Sequence, residues 1–493
     1  MEQTMTQDTI VAVATAPGTG GIAVIRLSGP DAFRILERVW RGVPIEGIAS
    51  HTAHLGRIAA GDEIVDEVVL TLFRAPNSFT GEDVAEISCH GSRWIQRQIV
   101  NLLIKNGARG ANPGEFSQRA FMNGRIDLAQ AEGIADLVAA SSRAAHRVAM
   151  QQANGSLSGR LNQLRDSLVD LASLLELELD FSEEEVEFAD RRKLCDLADE
   201  TINYIGKLAD SYSAGRTFKE GIPVVIAGEP NAGKSTLLNQ LLEEDKAIVT
   251  DIPGTTRDII EGTREIGGAL FRFIDTAGLR DTDDNVERLG IERAKDRLRR
   301  AAIVLWTIDL SAPLEPQFEL VASHRDNLSG IRQVILLNKS DIAPEKDAAT
   351  VDKITGLIKG LAAQTATVGT ADSNDMTEGN IAPVKVISVS ASEGTGIPDI
   401  LDYLQDYAAE LAGSDSDIMV TNARHYEALL RGKEALLRAR AALQSGTDAG
   451  TCISADFIAQ DIREAIHHLS TITGSISTPD LLQTIFSRFC IGK

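Results

Sequence analysis

Apolar residues in the first 120 positions fall into short runs. The segments TIVAVAT, GGIAVIRLSG, EVVLTLFRA and DVAEISCHG are rich in β-branched residues and are separated by Gly, Pro, Asn and Ser. Short runs of this kind between turn-forming residues predict β-strands. Residues 1–123 are therefore predicted to form an N-terminal domain of mixed α/β structure.

Helical spacing of apolar residues begins near Asp127 and returns after about Ile397. Steps of four and three residues place one stripe of leucines on a single helix face. These leucines are Leu157, Leu161, Leu164, Leu168, Leu171 and Leu175. The pattern predicts an all-α domain in two segments, residues 124–215 and 403–493.

Strand and helix patterns alternate between the two helical segments. The strand candidates are IPVVIAG, ALFRFIDTAG, AIVLWTIDL, IRQVILLNK and PVKVISVSA. Apolar strands that alternate with helices indicate a mainly parallel sheet covered on both faces. Residues 216–402 are thus predicted to be an α/β domain inserted into the helical one. The low-complexity stretch at 362–383 is predicted to be a flexible insertion without a function of its own.

A phosphate-binding motif opens this inserted domain. GEPNAGKST, Gly228–Thr236, fits G-x-x-x-x-G-K-[ST] between a strand and a helix. Glycines let backbone N–H groups surround phosphate oxygens, and the helix N-terminus adds its dipole. Lys234 is predicted to reach the β and γ phosphates, and Ser235 to bind Mg²⁺.

Further motifs follow in the order that a GTPase requires. In DTAG, Asp275 is expected near the metal and the Gly278 amide near the γ-phosphate, while Thr256 of PGTTRD is expected to close on Mg²⁺. Asp341 of NKSD can accept two hydrogen bonds from guanine, which adenine does not offer. Backbone amides of SAS can reach the base oxygen. The predicted GTP-binding residues are Asn231, Ala232, Gly233, Lys234, Ser235, Thr236, Thr250, Asp251, Ile252, Pro253, Gly254, Thr255, Thr256, Asp275, Thr276, Ala277, Gly278, Asn338, Lys339, Ser340, Asp341, Ser390, Ala391 and Ser392.

One GTPase feature is absent from these motifs. Leu279 follows DTAG, where many small GTPases place a glutamine that orients the attacking water. A leucine side chain cannot hydrogen-bond to water. Either hydrolysis is slow or another group performs this task.

Charge and cysteine content narrow the possible partners. The chain has 49 basic and 71 acidic residues and a formal charge of −22, so it has no global basic surface for nucleic acid. A local cluster in the second helical segment is an RNA or partner contact, or else a solvated helix face. It comprises Arg424, Arg431, Lys433, Arg438 and Arg440. Four scattered cysteines, no apolar run near ~20 residues and no signal-peptide pattern predict a cytoplasmic protein without a membrane segment.

The motifs together resemble one family over nearly the whole chain. They include NSFTGEDVAEISCHG, NPGEFSQRAFMNGRIDLAQAE, GEPNAGKST, TDIPGTTRD, DTAGLRDTDDNVERLGIERA and the terminal FCIGK. The chain is identified as a member of the MnmE (TrmE) family of tRNA-modifying GTPases. The resemblance implies an N-terminal domain that binds folate and dimerises, followed by a helical domain into which a Ras-like G domain is inserted.

The resemblance also implies a function and partners. A homodimer would form a heterotetramer with the FAD-containing protein MnmG. The pair would add an aminomethyl or carboxymethylaminomethyl group to C5 of uridine 34 in certain tRNAs. The implied cofactors are GTP, Mg²⁺, K⁺ and a reduced folate, either 5-formyl- or 5,10-methylene-tetrahydrofolate.

Potassium would take over part of the role of the missing glutamine. The family's K⁺ ligands correspond to the Asn231 side chain and to backbone atoms of Thr250, Ile252 and Thr255. A fixed cation offsets charge that develops on the phosphates. Glu287 matches the family's water-positioning acid; the alternative is a solvated acid near a helix N-terminus.

Folate binding is implied for Arg26, Glu82, Arg125 and Lys493. Carboxylates can accept pterin N–H groups and basic side chains can meet the glutamate tail of folate, although each residue alone could be a surface charge. The ending FSRFCIGK has two interpretations. Its aromatic residues dock the tail with Cys490 as filler, or the docking delivers Cys490 as a catalytic thiol together with Lys493 to the folate site.

A second function class is a GTP-dependent binding switch, for example in ribosome assembly. Assembly GTPases of that kind usually carry a basic RNA-binding domain, and the sequence contains none. That hypothesis also leaves the N-terminal domain and the terminal cysteine motif unexplained.

Overall fold

The computed structural model describes residues 8–180, 191–242, 261–275, 297–325, 328, 330–343, 384–412, 418–448, 455–487, 489–490 and 492. The insertion predicted at 362–383 lies outside the described residues. The chain divides into two compact units. The first unit contains Met1–Ala139, Ala149–Asp210 and Asn422–Lys493, and the second contains Ala140–Val148 and Ser211–Thr421.

A seven-stranded sheet forms the N-terminal part of the first unit, in the order β3-β4-β5-β6-β2-β1-β7. Its strands are β1 Ile10–Val13, β2 Ile22–Ser28, β3 Trp40–Arg41, β4 Ala53–Ala60, β5 Glu63–Phe73, β6 Val84–His90 and β7 Arg109–Gly110. The helices of this part are α1 Ala32–Val39, α2 Arg93–Lys105 and α3 Glu115–Met122, with a 3₁₀ turn at Ile45–Gly47. Strands β1 and β7 are parallel, and the other neighbours are antiparallel. Apolar side chains of α1 and α2 complete a core with Ile25, Leu70 and Ile87, which confirms the mixed α/β prediction.

Helices from both predicted segments build the remainder of the first unit. They are α4 Leu128–Ala139, α6 Ser156–Asp180, α7 Arg191–Asp210, α12 Ala423–Asp448, α13 Ala455–Thr473 and α14 Pro479–Phe486. Helix α5, Arg143–Ala153, is divided between the units: its residues up to Val148 belong to the second unit and those from Ala149 to the first. Helix α6 packs on α13, and α7 packs on α12. Leu157, Leu161, Leu164, Leu168 and Leu175 of α6 are buried, which confirms the leucine stripe at these five positions. The side chain of Leu171, the sixth predicted member, lies outside what the structure describes. The two helical segments therefore share one core although the second unit separates them in sequence.

A buried charge cluster joins the two helical segments. Glu132 of α4 accepts hydrogen bonds from Arg424 at 2.9 Å, and its carboxylate lies 2.6 Å from His425 Nε2. Arg424 also donates to the backbone carbonyls of Thr471 and Ile472. Burial disfavours the charge on Glu132, but His425 and Arg424 outweigh it and lower its pKa to about 2. Losing one partner would leave a buried charge uncompensated, which costs about 3–5 kcal/mol.

The second unit contains a six-stranded sheet in the order β13-β12-β11-β8-β10-β9. Its strands are β8 Ile222–Ala227, β9 Glu261–Ile266, β10 Ala269–Asp275, β11 Ile303–Asp309, β12 Arg332–Asn338 and β13 Lys385–Ser388. Only β9 runs antiparallel to its neighbour within this described sheet. The helices are α8 Tyr212–Glu220, α9 Lys234–Leu242, α10 Glu315–Arg325 and α11 Ile397–Ala412. Every residue of β11 is buried, as the prediction of a parallel sheet covered on both faces requires.

Helix α11 runs through residue 402, where the boundary of the inserted domain was predicted, and the second unit continues to Thr421. Apolar residues of this helix join the core of the sheet, among them Ile400 and Leu404. The helical spacing after Ile397 thus begins inside the α/β unit. Among the described helices, none combines the length and apolar character needed to cross a membrane.

Candidate nucleotide and folate sites

Five parallel strands of the second unit end at the same edge of the sheet. Each of them leads into one of the predicted motifs or into Asp309, the last residue of β11. Strand β8 continues into the phosphate-binding loop, β10 ends at Asp275, β12 ends at Asn338, and β13 precedes Ser390. Ligands of open α/β sheets bind in the crevice outside the carboxyl ends of the strands. The topology therefore gathers segments that are far apart in sequence.

Two glycines of the phosphate-binding loop are required by close contacts. Gly228 has φ 148°, and a Cβ atom there would lie 2.4 Å from the carbonyl oxygen of Thr307. Gly233 has φ 93°, and its Cβ would lie 2.2 Å from Asn338 Nδ2. Because any side chain would collide with these atoms, the loop backbone can pack against its neighbours only with glycine at both positions.

Ser235 and Asp275 meet at the start of α9. The Ser235 hydroxyl donates to Asp275 Oδ2 at 2.9 Å. Lys234 donates from Nζ to the carbonyl oxygens of Gly228 at 3.0 Å and Glu229 at 2.7 Å. A hydroxyl and a carboxylate side by side are the oxygen ligands that Mg²⁺ prefers. The donor set therefore fits a magnesium ion next to a phosphate loop.

Asn338 links three of the predicted motifs. Its Nδ2 donates to Ala232 O at 2.7 Å, and its Oδ1 accepts from the Ala391 amide at 3.0 Å. The Ser390 and Ser392 hydroxyls lie 3.1 Å apart in the third motif. This buried amide side chain thus holds the phosphate loop, the NKSD segment and the SAS segment together.

Other predicted site residues are either at the surface or outside the described chain. Asn231 has φ 63° and is exposed, and Thr236 and Asp341 are exposed as well. The predictions that fall outside the described residues concern Thr250, Asp251, Ile252, Pro253, Gly254, Thr255, Thr256, Thr276, Ala277, Gly278, Glu287 and Lys493.

In the first unit, Arg26, Glu82 and Arg125 surround one region of the sheet. Arg26 Nε donates to Glu86 at 2.9 Å, and its guanidinium carbon lies 5.7 Å from the Phe79 ring centroid. Phe79 and Arg125 both line a cavity of about 290 Å³ together with His51, Phe73, Asn77 and Ser78. Glu82 accepts from the Ser28 hydroxyl at 2.7 Å. Of the three predicted residues, Arg125 therefore lines this cavity, and Arg26 lies next to one of its lining residues, Phe79.

Arg119 organises this region and is not among the residues predicted from the sequence. Its side chain is only 7% exposed and pairs with Asp8 at 2.7 Å, with Glu82 at 3.1 Å and with Glu115 at 3.1 Å. Arg109 adds further contacts to Asp8 and Glu115. Burial raises the pKa of Glu115, but hydrogen bonds from Arg109, Asn112 and Arg119 outweigh this and lower it below its usual value. The four-residue spacing of Glu115 and Arg119 on one helix was the available signal.

The tail after α14 packs on helix α4 and contacts the N-terminal part of the first unit. Phe486 and Phe489 are buried with Leu128 and Ala131, and their ring centroids lie 5.3 Å apart. The Gly114 amide donates to the Cys490 carbonyl at 3.4 Å, and Arg26 donates to the Gly492 carbonyl at 3.4 Å. The Cys490 side chain is exposed. Docking of the aromatic residues is thus observed, and it brings the tail backbone to a predicted folate residue.

Most of the basic cluster in α12 is used within the protein. Arg424 binds Glu132, Arg438 binds Asp461 and Glu464, and Arg440 pairs with Asp199. These pairs reduce the positive charge that the helix can offer to RNA.

Comparisons with known proteins agree with this geometry. The family described as GTP-binding protein TrmE N-terminus matches residues 9–125, and the MnmE helical domain matches residues 128–490. The chain belongs to the MnmE family. Within it, the protein named tRNA modification GTPase MnmE from Bacteroides thetaiotaomicron is 46% identical over 99% of this chain and 100% of its own length. Relatives of the same name are 48% identical in Bacteroides fragilis and 44% identical in Salinibacter ruber, each covering 99% of this chain and 100% and 99% of their own lengths, respectively.

Family membership confirms the architecture that was predicted from the order of strand and helix patterns along the sequence. An N-terminal TrmE domain precedes a helical domain, and an α/β domain with a phosphate-binding loop lies between the two helical segments.

Proposed function

We propose that this chain is a potassium-dependent GTPase that acts with the flavoprotein MnmG on C5 of the wobble uridine of certain tRNAs. The nucleotide part rests on one observation above all. Ser235 and Asp275 are hydrogen-bonded to each other at the phosphate-binding loop. Asn338 ties the backbone of this loop to the SAS segment, Ser390–Ser392, which is proposed to contact the guanine base. The tRNA part is supported by family membership, since full-length relatives carry the name tRNA modification GTPase MnmE.

Each residue of the nucleotide site has a defined task in this proposal. When GTP binds, the Lys234 ammonium group gives up its hydrogen bonds to the carbonyl oxygens of Gly228 and Glu229 and donates to phosphate oxygens instead. Ser235 and Thr256 would hold Mg²⁺ with Asp275 beside it, and the ion would supply positive charge to offset the charge of the phosphates. The Asp341 carboxylate accepts from the N1–H and 2-amino groups of guanine, and amides of Ser390–Ser392 donate to the base oxygen.

Water activation is proposed to depend on groups other than a glutamine. Glu287 positions the attacking water, and K⁺ binds to the Asn231 side chain and to backbone oxygens of Thr250, Ile252 and Thr255. Asn231 is an exposed residue of the phosphate-binding loop, so its side chain is accessible to a cation. A cation there supplies positive charge that offsets the charge developing on the phosphates.

Folate binding is proposed for the first unit. Glu82 accepts pterin N–H groups, while Arg26, Arg125 and Lys493 meet the carboxylates of a reduced folate. Glu82 already accepts from Ser28 and Arg119, and Arg26 is paired with Glu86, so the polar groups are preoriented. Cys490 is proposed to act as a nucleophile in this region, since the tail backbone contacts Gly114 and Arg26.

The proposed assembly is a homodimer that forms a heterotetramer with MnmG in the cytoplasm. The domain limits that accompany this proposal are 1–123, 124–215, 216–402 and 403–493.

Nucleoside analysis of tRNA from cells that lack the protein tests the proposal. We expect the C5-modified wobble uridines to disappear and to return with the wild-type gene. Complementation with Cys490→Ser is expected to restore GTPase activity but not the modification. Unchanged wobble uridines in the deletion strain, particularly with accumulated ribosome precursors, would instead support the assembly-switch hypothesis.

A further inference from the structure

The NKSD segment contains a strained residue whose side chain is anchored. Lys339 has φ 65°, in the left-handed region that non-glycine residues enter rarely. It lies directly after Asn338 and two residues before Asp341, which is proposed to read guanine. A strained backbone conformation persists only where its surroundings hold it in place. The contacts of the Lys339 side chain therefore matter for the position of Asp341.

Asp309 supplies the main contact to Lys339. It ends β11 and pairs in register with Asn338 at the end of β12. Its Oδ2 accepts from Lys339 Nζ at 2.7 Å, and its Oδ1 accepts from the Ser311 amide at 2.8 Å and the Ser311 hydroxyl at 2.6 Å. Burial raises the pKa of Asp309, but these hydrogen bonds outweigh it and lower the pKa below its usual value.

A buried glutamine fixes the backbone of Asp309 in turn. Gln317 of α10 accepts from the Asp309 amide at 2.7 Å and donates to the Asp309 carbonyl at 3.0 Å. Gln317 is only 1% exposed. Because both backbone groups of Asp309 are held, its carboxylate is presented to Lys339 from a rigid strand end. Rigid support of this kind is what a recognition group needs to hold its geometry.

We propose that Asp309 is a positioning residue for guanine recognition and acts through Lys339. The ion pair holds the left-handed turn at Lys339, and this turn places the Asp341 carboxylate against the N1–H and 2-amino groups of the base. The inference rests on the proposed GTP-binding function. It assigns a specificity role to a residue outside the nucleotide motifs.

Discrimination between GDP and IDP measures this role directly, because inosine lacks the 2-amino group. The full chain is titrated with each nucleotide in Mg²⁺ by calorimetry. We expect the wild-type chain to prefer GDP about tenfold, as for one hydrogen bond to a charged acceptor. Asp309→Asn keeps the shape and removes the charge, and we expect it to lower this preference about fivefold.

A matched control is available at the other end of β12. Glu410 pairs with Arg332, the first residue of that strand, at 2.5 Å. Glu410→Gln makes the same change of charge in the same unit, and we expect the GDP to IDP ratio to stay at the wild-type value. The double variant Asp309→Asn with Lys339→Met is expected to discriminate no worse than Lys339→Met alone, because both changes break one pair.

Three outcomes would overturn the inference. An unchanged GDP to IDP ratio in Asp309→Asn, with or without a lower melting temperature, would mean that the pair serves stability alone. Additive losses in the double variant would mean that Asp309 does not act through Lys339. Tighter GDP binding by Asp309→Asn would mean that the pair competes with the nucleotide. If the wild-type chain binds neither nucleotide, the proposed function itself fails, and this result is distinct from the other three.

Discussion

The candidate nucleotide site and the candidate folate site use their polar side chains in different ways. In the second unit, Lys234 and the uncharged Asn338 amide form hydrogen bonds with backbone atoms of the phosphate-binding loop and of Ala391. In the first unit, Arg119 and Arg26 are paired with carboxylates of other segments. The hydrogen bonds of Lys234 and Asn338 shape the phosphate-binding loop, whereas the ion pairs of Arg119 and Arg26 join separate segments of the first unit. The two regions should therefore fail differently when their charges are removed: one in nucleotide chemistry, the other in stability.

The largest effect is expected from Arg119→Met in the first unit. The change leaves Glu82 without its cationic partner and leaves Asp8 and Glu115 with Arg109 alone. The free energy of unfolding should therefore fall by about 3–5 kcal/mol. Arg57→Met is the control, because the Arg57–Glu67 pair is about half exposed and should contribute under about 1 kcal/mol. Chemical denaturation of both variants measures the difference. Equal losses in the two would contradict the central role of Arg119.

In the second unit, Lys234→Met should impair GTP hydrolysis and leave stability nearly unchanged. Removing the phosphate-binding cation is expected to slow GTP hydrolysis by about 10²- to 10³-fold, with little change in the unfolding transition. Lys219→Met, an exposed lysine on α8 of the same unit, should leave hydrolysis unchanged. Phosphate release under saturating GTP is the measurement. Hydrolysis at the wild-type rate in Lys234→Met would refute the assignment of the loop.

Asp341→Asn tests whether the nucleotide site reads guanine with a carboxylate. An amide cannot accept both base N–H groups, so GTP affinity should fall about 10²-fold. Affinity for XTP should rise, because xanthine offers an acceptor where guanine has an amino group. Competition binding with GTP and XTP measures both changes. If GTP affinity stays at its original value, the base is recognised by other residues.

The cation requirement is expected to be the smallest of these effects. GTP turnover should be at least about tenfold faster in K⁺ than in Na⁺ at equal ionic strength. Asn231→Gly should abolish the difference; glycine is the suitable replacement because residue 231 has φ 63°. Equal rates of the wild-type chain in the two salts would reject the potassium site.

Much of the second unit could be predicted from sequence because its motifs are local. Gly228 and Gly233 determine the loop that precedes α9, and the parallel strands determine that Asp275 and Asn338 lie at one edge. The same holds in the first unit for α6, whose buried leucines follow from their spacing along a single helix. In each case, a few neighbouring residues specify the conformation, so the sequence pattern carries the information.

Tertiary structure alone decided which charges meet. Asp8 and Arg119 are 111 positions apart, and Glu132 and Arg424 are 292 positions apart, so no local pattern relates them. Packing turned Arg424 of the basic cluster into a buried partner of Glu132, brought Asp309 to Lys339, and placed the Cys490 carbonyl on the Gly114 amide. The sequence determined which groups could form ion pairs, and their burial in a shared core selected the partners, because a charge removed from water must find an opposite charge within a few ångströms.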